Sequence, residues 1–173
     1  MNRDDAAMTG QKMLQTARLN LRHLTLDDLD AIVAMDSDEE VCRYIGGPRE
    51  PVAHRARMRA NIVDGRPAPY FAWAIEWRDR VGFLGRCLLA DSPLPGTTEI
   101  GWRLPRTSWS QGIATEAASA VLHHARDELR VGPVVALIHP DNAASLSVAR
   151  KIGLRPDGET VARGARQLIY RLD

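Results

Sequence analysis

Apolar and polar residues alternate from Arg18 to Leu24, which predicts a first strand. Residues 1–15 are polar, lack a period and read as a loose tail. Thr25 is placed to cap a helix, with Asp27 and Asp28 in its first turn and Leu26, Leu29, Ile32 and Val33 on one face. Gly46-Gly47-Pro48 breaks the chain, and a second helix covers residues 51–63 before Asp64-Gly65-Arg66-Pro67. Tyr70–Trp77 and Val81–Leu89 read as a hairpin joined at Arg78-Asp79-Arg80, followed by a loop from Asp91 to Gly96 and a strand at 97–104. Ala114, Ala117, Ala118, Val121, Leu122, Ala125 and Leu129 recur at the spacing of one buried face, so a central helix runs from Gly112 to Leu129. Pro133–Ile138 is a short apolar run, as expected of a strand covered on both faces. Asn142 opens another helix that ends at Lys151-Ile152-Gly153, and strands near 154–160 and 165–172 finish the chain. Helices, a meander and then strand-helix-strand-helix predict an α/β protein with a mixed sheet.

Composition narrows this little but excludes several classes. At 173 residues the chain reads as one domain of ordinary globular composition. Its 23 basic and 22 acidic residues leave a net charge of +1, which argues against a nucleic-acid partner. No apolar run approaches a membrane span, so no membrane partner is expected. Cys42 and Cys87 show neither metal-ligand spacing nor a disulfide framework, and a reduced, cytoplasmic setting is the simplest reading. The five histidines are scattered, and no metal site is expected. His123 and His124 read as one solvated and one border position.

The stretch Trp109-Ser110-Gln111-Gly112-Ile113-Ala114-Thr115-Glu116-Ala117 carries the first chemistry. A glycine turn at a helix N-terminus leaves amide donors pointing outward, and with the helix dipole they form an anion site suited to a pyrophosphate. Gly112 lacks a Cβ and Ala114 has the smallest one, so a phosphate can approach the backbone. A phosphate-bearing cofactor follows.

The second motif runs from Asn142 to Leu154, with Asn142, Ser145, Lys151 and Gly153 as its marked positions. Together the two motifs resemble the GNAT family of acetyl-CoA-dependent N-acetyltransferases, over residues 16–173. Trp109-Ser110-Gln111-Gly112-Ile113-Ala114 is similar to the family's Gln/Arg-x-x-Gly-x-Gly/Ala loop, with Trp109 in the first position. The second motif is similar to the Asn-x-x-Ala/Ser…Lys-x-Gly-Phe helix, with Leu154 in place of Phe. Both resemble in particular the branch that acetylates ribosomal-protein N-termini. The resemblance implies a GNAT fold: a mixed, mostly antiparallel sheet of about seven strands flanked by about four helices.

It also implies roles. Acetyl-CoA would be the acyl donor, with its pyrophosphate on the amides of Gln111, Gly112, Ile113, Ala114 and Thr115 and its pantetheine arm against Asn142 and the backbone of Trp102, Arg103 and Leu104. Glu99, which shares a strand face with Gly101 and Arg103, is the candidate general base, weighed against a solvated strand-end glutamate. Many family members carry a tyrosine as acid for the leaving thiolate, but Ala149 stands there. Ser145 is the alternative donor, weighed equally against a first-turn serine. A thiolate of pKa near 8.5 needs little such help. Arg55, Arg57 and Arg59 fit an acidic-substrate patch less readily than a solvated helix face, and Tyr70, Trp73 and Trp77 fit core as well as an acceptor cleft.

The expected function is acetyl transfer to a primary amine, a peptide N-terminus ahead of a small-molecule amine such as an antibiotic-like or polyamine-like metabolite. A non-catalytic acyl-CoA-binding module is the alternative of another class, and a homodimer stays open.

Overall fold

The structure, a computed structural model, describes residues 11–65 and 67–173. Eight strands form one sheet: β1 (Leu14–Gln15), β2 (Leu19–His23), β3 (Ala72–Trp77), β4 (Gly85–Asp91), β5 (Thr98–Arg103), β6 (Val134–Ile138), β7 (Arg155–Ala162) and β8 (Ala165–Leu172). Their order is β1-β2-β3-β4-β5-β6-β8-β7, and only the β5–β6 pair is parallel. The helices are α1 (Leu29–Ser37), the short α2 (Glu39–Cys42), α3 (Pro51–Val63), α4 (Ile113–His123) and α5 (Ala143–Lys151).

Alternation along the strands divides the molecule into layers. Leu19, Leu21, Trp73, Ile75, Cys87, Leu89 and Ile100 point to one face and pack with Ile113, Ala117, Ala118 and Val121 of α4 and Leu146 and Ala149 of α5. The alanines let α4 lie close to the sheet. Leu29 and Ile32 of α1 join Met58 of α3 in a second cluster. There the opposite sheet face carries polar side chains, with Arg86 and Arg103 reaching Asp36 of α1.

Local signals set many of the boundaries. Thr25 and Asp28 form a capping box, although the turn they open is 3₁₀ before α1 begins. Asp28 is buried and doubly bonded to Arg22 at 2.8 and 2.9 Å, so the cap is also tied to β2. Pro51 occupies the first turn of α3 behind Glu50, whose carboxylate accepts from the amides of Val52 and Ala53.

Four expectations change. Residues 1–10 of the expected tail lie outside the described residues, but Leu14–Gln15 is a strand with Leu14 buried, which adds an eighth strand. The second hairpin strand starts at Gly85, not Val81: Val81 is exposed, and Phe83 packs on the α1–α3 cluster rather than in the ladder. The central helix changes to a π turn over His124–Glu128. His124 is buried rather than at the border, with its ring edge-on to Trp73 at 5.9 Å, and Trp73 is itself fully buried core. Both cysteines are buried; burial raises their thiols, Cys87 to about 12.

Candidate active site

The parallel β5–β6 pair holds the site open. Its register consists of Thr98 with Val134 and Glu99 with Val135, and beyond those pairs the strands part. Residues 100–103 of β5 therefore present an edge with no ladder partner in β6, while their other edge stays paired to β4. Trp102 and Arg103 lie on this stretch and Leu104 follows it. The Leu104 carbonyl already accepts from the Trp109 indole at 2.9 Å.

Beside the parting lies the loop from Trp109 to Gly112. Ser110 and Gly112 both have positive φ, 60° and 76°, and Gly112 is the N-cap of α4. The first helical bond runs from the Glu116 amide to the Gly112 carbonyl, so the amides of Ile113, Ala114 and Thr115 have no intrahelical acceptor. A Cβ on Gly112 would lie 3.3 Å from Nη2 of Arg18. Gln111 is exposed and anchors the loop from Nε2 to the Thr107 carbonyl at 2.8 Å.

Arg18 and Glu116 fix this loop, and sequence reasoning missed both. Arg18 donates from Nε to Glu116 at 2.7 Å and from Nη2 to the Gln111 carbonyl at 3.1 Å. Thr16 adds its hydroxyl to Glu116 at 2.5 Å. Burial opposes ionisation of Glu116, but these hydrogen bonds outweigh it and hold the carboxyl below its ordinary range. Thr16, Gly112, Thr115, Glu116 and Lys151 line an open groove of about 550 Å³ next to the loop.

Asn142 caps α5, its side chain accepting from the Ser145 amide at 3.1 Å. Both residues are part-exposed at the α5 N-terminus, which directly follows β6. Glu99 points to the opposite sheet face, is only 7% exposed, and accepts from Nη2 of Arg163 at 2.5 Å. Arg163 sits in the β7–β8 turn. Its partnership with Glu99 links residues 64 positions apart and has no local sequence signal. Tyr44, in the segment before α3, stacks on His139 at the end of β6 with ring centroids 5.2 Å apart. Among the described residues no group of three His, Cys, Asp or Glu side chains could hold a metal, and no helix is long and apolar enough to cross a membrane.

A half-split sheet beside a helix start with free amides suits a ligand that joins an extended amide-bearing arm to a phosphate. Comparison with known proteins places the architecture. The acetyltransferase (GNAT) domain family matches residues 18–155. The uncharacterized N-acetyltransferase YoaA of Bacillus subtilis is 30% identical over 167 residues, covering 92% of this chain and 89% of YoaA. An acetyltransferase structure from Agrobacterium tumefaciens aligns with a TM-score of 0.83 at 25% identity, covering 95% of each chain. RimL, a ribosomal α-N-protein acetyltransferase solved with coenzyme A, shares the fold with a TM-score of 0.75 at 19% identity, over 93% of this chain and 97% of RimL. The chain belongs to the GNAT acetyltransferase family and is an acyltransferase.

Proposed function

We propose that this enzyme transfers the acetyl group of acetyl-CoA to a primary amine, a peptide N-terminal α-amine, by direct attack in a ternary complex. The observation that carries the reading is the parting of β5 from β6 beside the Gly112 loop. Acetyl-CoA supplies an activated thioester. The amides of Gln111 to Thr115 receive its pyrophosphate, and the free edge at Trp102 and Arg103, with Asn142, orients the pantetheine arm. Holding both reactants and directing backbone donors at the thioester carbonyl would supply most of the acceleration.

Glu99 takes the amine proton, directly or through water. Arg163 occupies Oε2, and among the described residues Oε1 accepts from no protein donor. Ser145, whose amide is engaged in the cap, keeps its hydroxyl for the departing thiolate. Glu99→Gln is expected to lower turnover by about 10²–10⁴-fold with coenzyme A affinity nearly unchanged. Steady-state rates beside calorimetric titration check this, and near-normal turnover would move the base to water or another residue.

Ala149, fully buried on α5, stands where the family resemblance places a tyrosine acid. A modest proton-transfer apparatus favours an amine that is already partly neutral. An α-amine near 7.7–8.0 meets this at pH 7.5, whereas a lysine near 10.4 would cost about 4 kcal/mol to deprotonate. The expected outcome is a higher kcat/KM for peptides with free N-termini than for the same peptides N-blocked and carrying lysine. The reverse order would defeat the N-terminal reading.

A further inference from the structure

On the α1–α3 side of the sheet, three arginines gather around one carboxylate. Asp36, fully buried, accepts from Nη1 of Arg103 at 2.6 Å on one oxygen, and from Nη2 of Arg86 at 2.7 Å and Nε2 of His54 at 2.6 Å on the other. Arg57 lies with Nη2 at 2.8 Å from Nδ1 of His54. A guanidinium only donates, so Nδ1 accepts, Nε2 carries the proton given to Asp36, and the imidazole is neutral. Burial holds the His54 pKa below its ordinary value, in keeping with that tautomer.

The charges then do not cancel: two guanidiniums share one carboxylate, and a third, Arg57, stands behind the neutral His54. The other carboxylates nearby have their own cations, Glu99 with Arg163, Asp30 with Arg55 and Asp38 with Arg106. Arg86 is buried, and its Nε has no hydrogen-bond partner. A fold needing only a structural ion pair would be served by one arginine. A buried guanidinium that shares its one counterion is costly, and an anion arriving from outside relieves that cost.

The surplus reaches solvent at two points. Arg57 is exposed on α3, and the Arg103 side chain keeps 22% of its surface. Arg103 spends Nη1 on Asp36, which leaves its other N–H groups for a two-pronged grip on a planar carboxylate. On β5, Arg103 shares a face with Glu99, and between them stands Gly101, which adds no side chain of its own beside Leu88 of β4. Four residues of strand span about 13 Å. Once the reach of both side chains is subtracted, that separation suits a peptide whose amine lies near Glu99 and whose acid sits one or two residues further on.

We propose that Arg103 and Arg57, backed by Arg86 and Asp36, form a subsite for a carboxylate on the acceptor, so that the preferred substrate is a peptide with an acidic residue at its second or third position. This rests on the acetyl-transfer reading of the same site, and the test separates the two. Peptides that differ only in glutamate, glutamine or lysine at the second or third position are compared by kcat/KM, together with carboxylated small amines and their decarboxylated counterparts. Wild type is expected to favour the acidic peptide over the glutamine peptide by about 10-fold or more, and over the lysine peptide by a larger factor. Arg57→Gln and Arg103→Gln should each shrink the acidic-to-glutamine ratio to about 3-fold or less, with thermal melts reporting the fold. Because Arg57 is exposed, its variant keeps the test decisive should the Arg103 variant unfold. Equal rates for the acidic and glutamine peptides would overturn the subsite while leaving N-terminal acetylation standing. If no peptide reacts but carboxylated small amines exceed their counterparts by the same ratio, the peptide reading falls and the carboxylate subsite stands. No preference in either series overturns the subsite.

Discussion

Replacing Asp36 with alanine is expected to cost about 3–5 kcal/mol of stability, the range seen when one partner of a buried ion pair is removed. The variant leaves Arg86 and Arg103 without their shared anion and His54 without its acceptor. For a chain of this size that amounts to about 10 °C in melting temperature. Denaturant titration measures it directly. Adding Arg86→Met to Asp36→Ala should return part of the loss, because the buried cation leaves with its counterion. The pH dependence has a definite sign. Burial alone would raise the Asp36 carboxyl, but Arg86, Arg103 and His54 together hold it below its ordinary value. Its contribution is therefore complete above the unfolded-state pKa of about 3.9 and is lost as pH falls through the folded value. Asp36→Asn should flatten that acid limb, and an unaltered acid limb with unchanged stability would show the cluster to be energetically idle.

Gly112→Val should reduce coenzyme A affinity beyond about 100-fold, since the residue both shapes and lines the amide cradle. At φ of 76° a β-branched side chain is strained, and its Cβ meets Arg18 at 3.3 Å. Arg18 would have to give way, straining the bond from its Nη2 to the Gln111 carbonyl that anchors the loop. Gly112→Ala, with the same first contact and less bulk, should fall between the two. Calorimetric titration measures the affinities and a thermal melt reports the fold. Undiminished binding by the valine variant would remove the loop from the cofactor site.

The sequence made legible those parts whose cause is local. Helix α3 lies at Pro51–Val63, as proline, glutamate and the Asp64-Gly65 stop indicate. The Gly112 turn and the Asn142 cap follow from side chains a few residues apart. Strand β4 was misplaced because Val81, Phe83 and Leu84 look like ladder residues, yet Gly82 and Gly85 take φ of 154° and 138°, and Phe83 serves the helix layer. Leu14–Gln15 lacked any period because a two-residue strand cannot show one. Within the site, Asp36 was invisible: it lies in a helix with ordinary amphipathic spacing, and its partners stand 18, 50 and 67 positions away. Glu99 stood out on its strand as a candidate base, but its partner Arg163, 64 positions away, had no such local signal.

Two residue pairs are all that the β5–β6 ladder contributes to joining the five-stranded and three-stranded parts of the sheet. Such a seam is where the native state opens most cheaply, so amide exchange should be fastest along its two lips. A donor molecule lying in the gap would act as a removable strand and fasten both lips at once. By mass action, a ligand at 100 times its Kd adds about 2.7 kcal/mol to the folded state. The supply of acyl donor would then set the lifetime of the catalyst as well as its rate, and a starved cell would hold a more perishable enzyme.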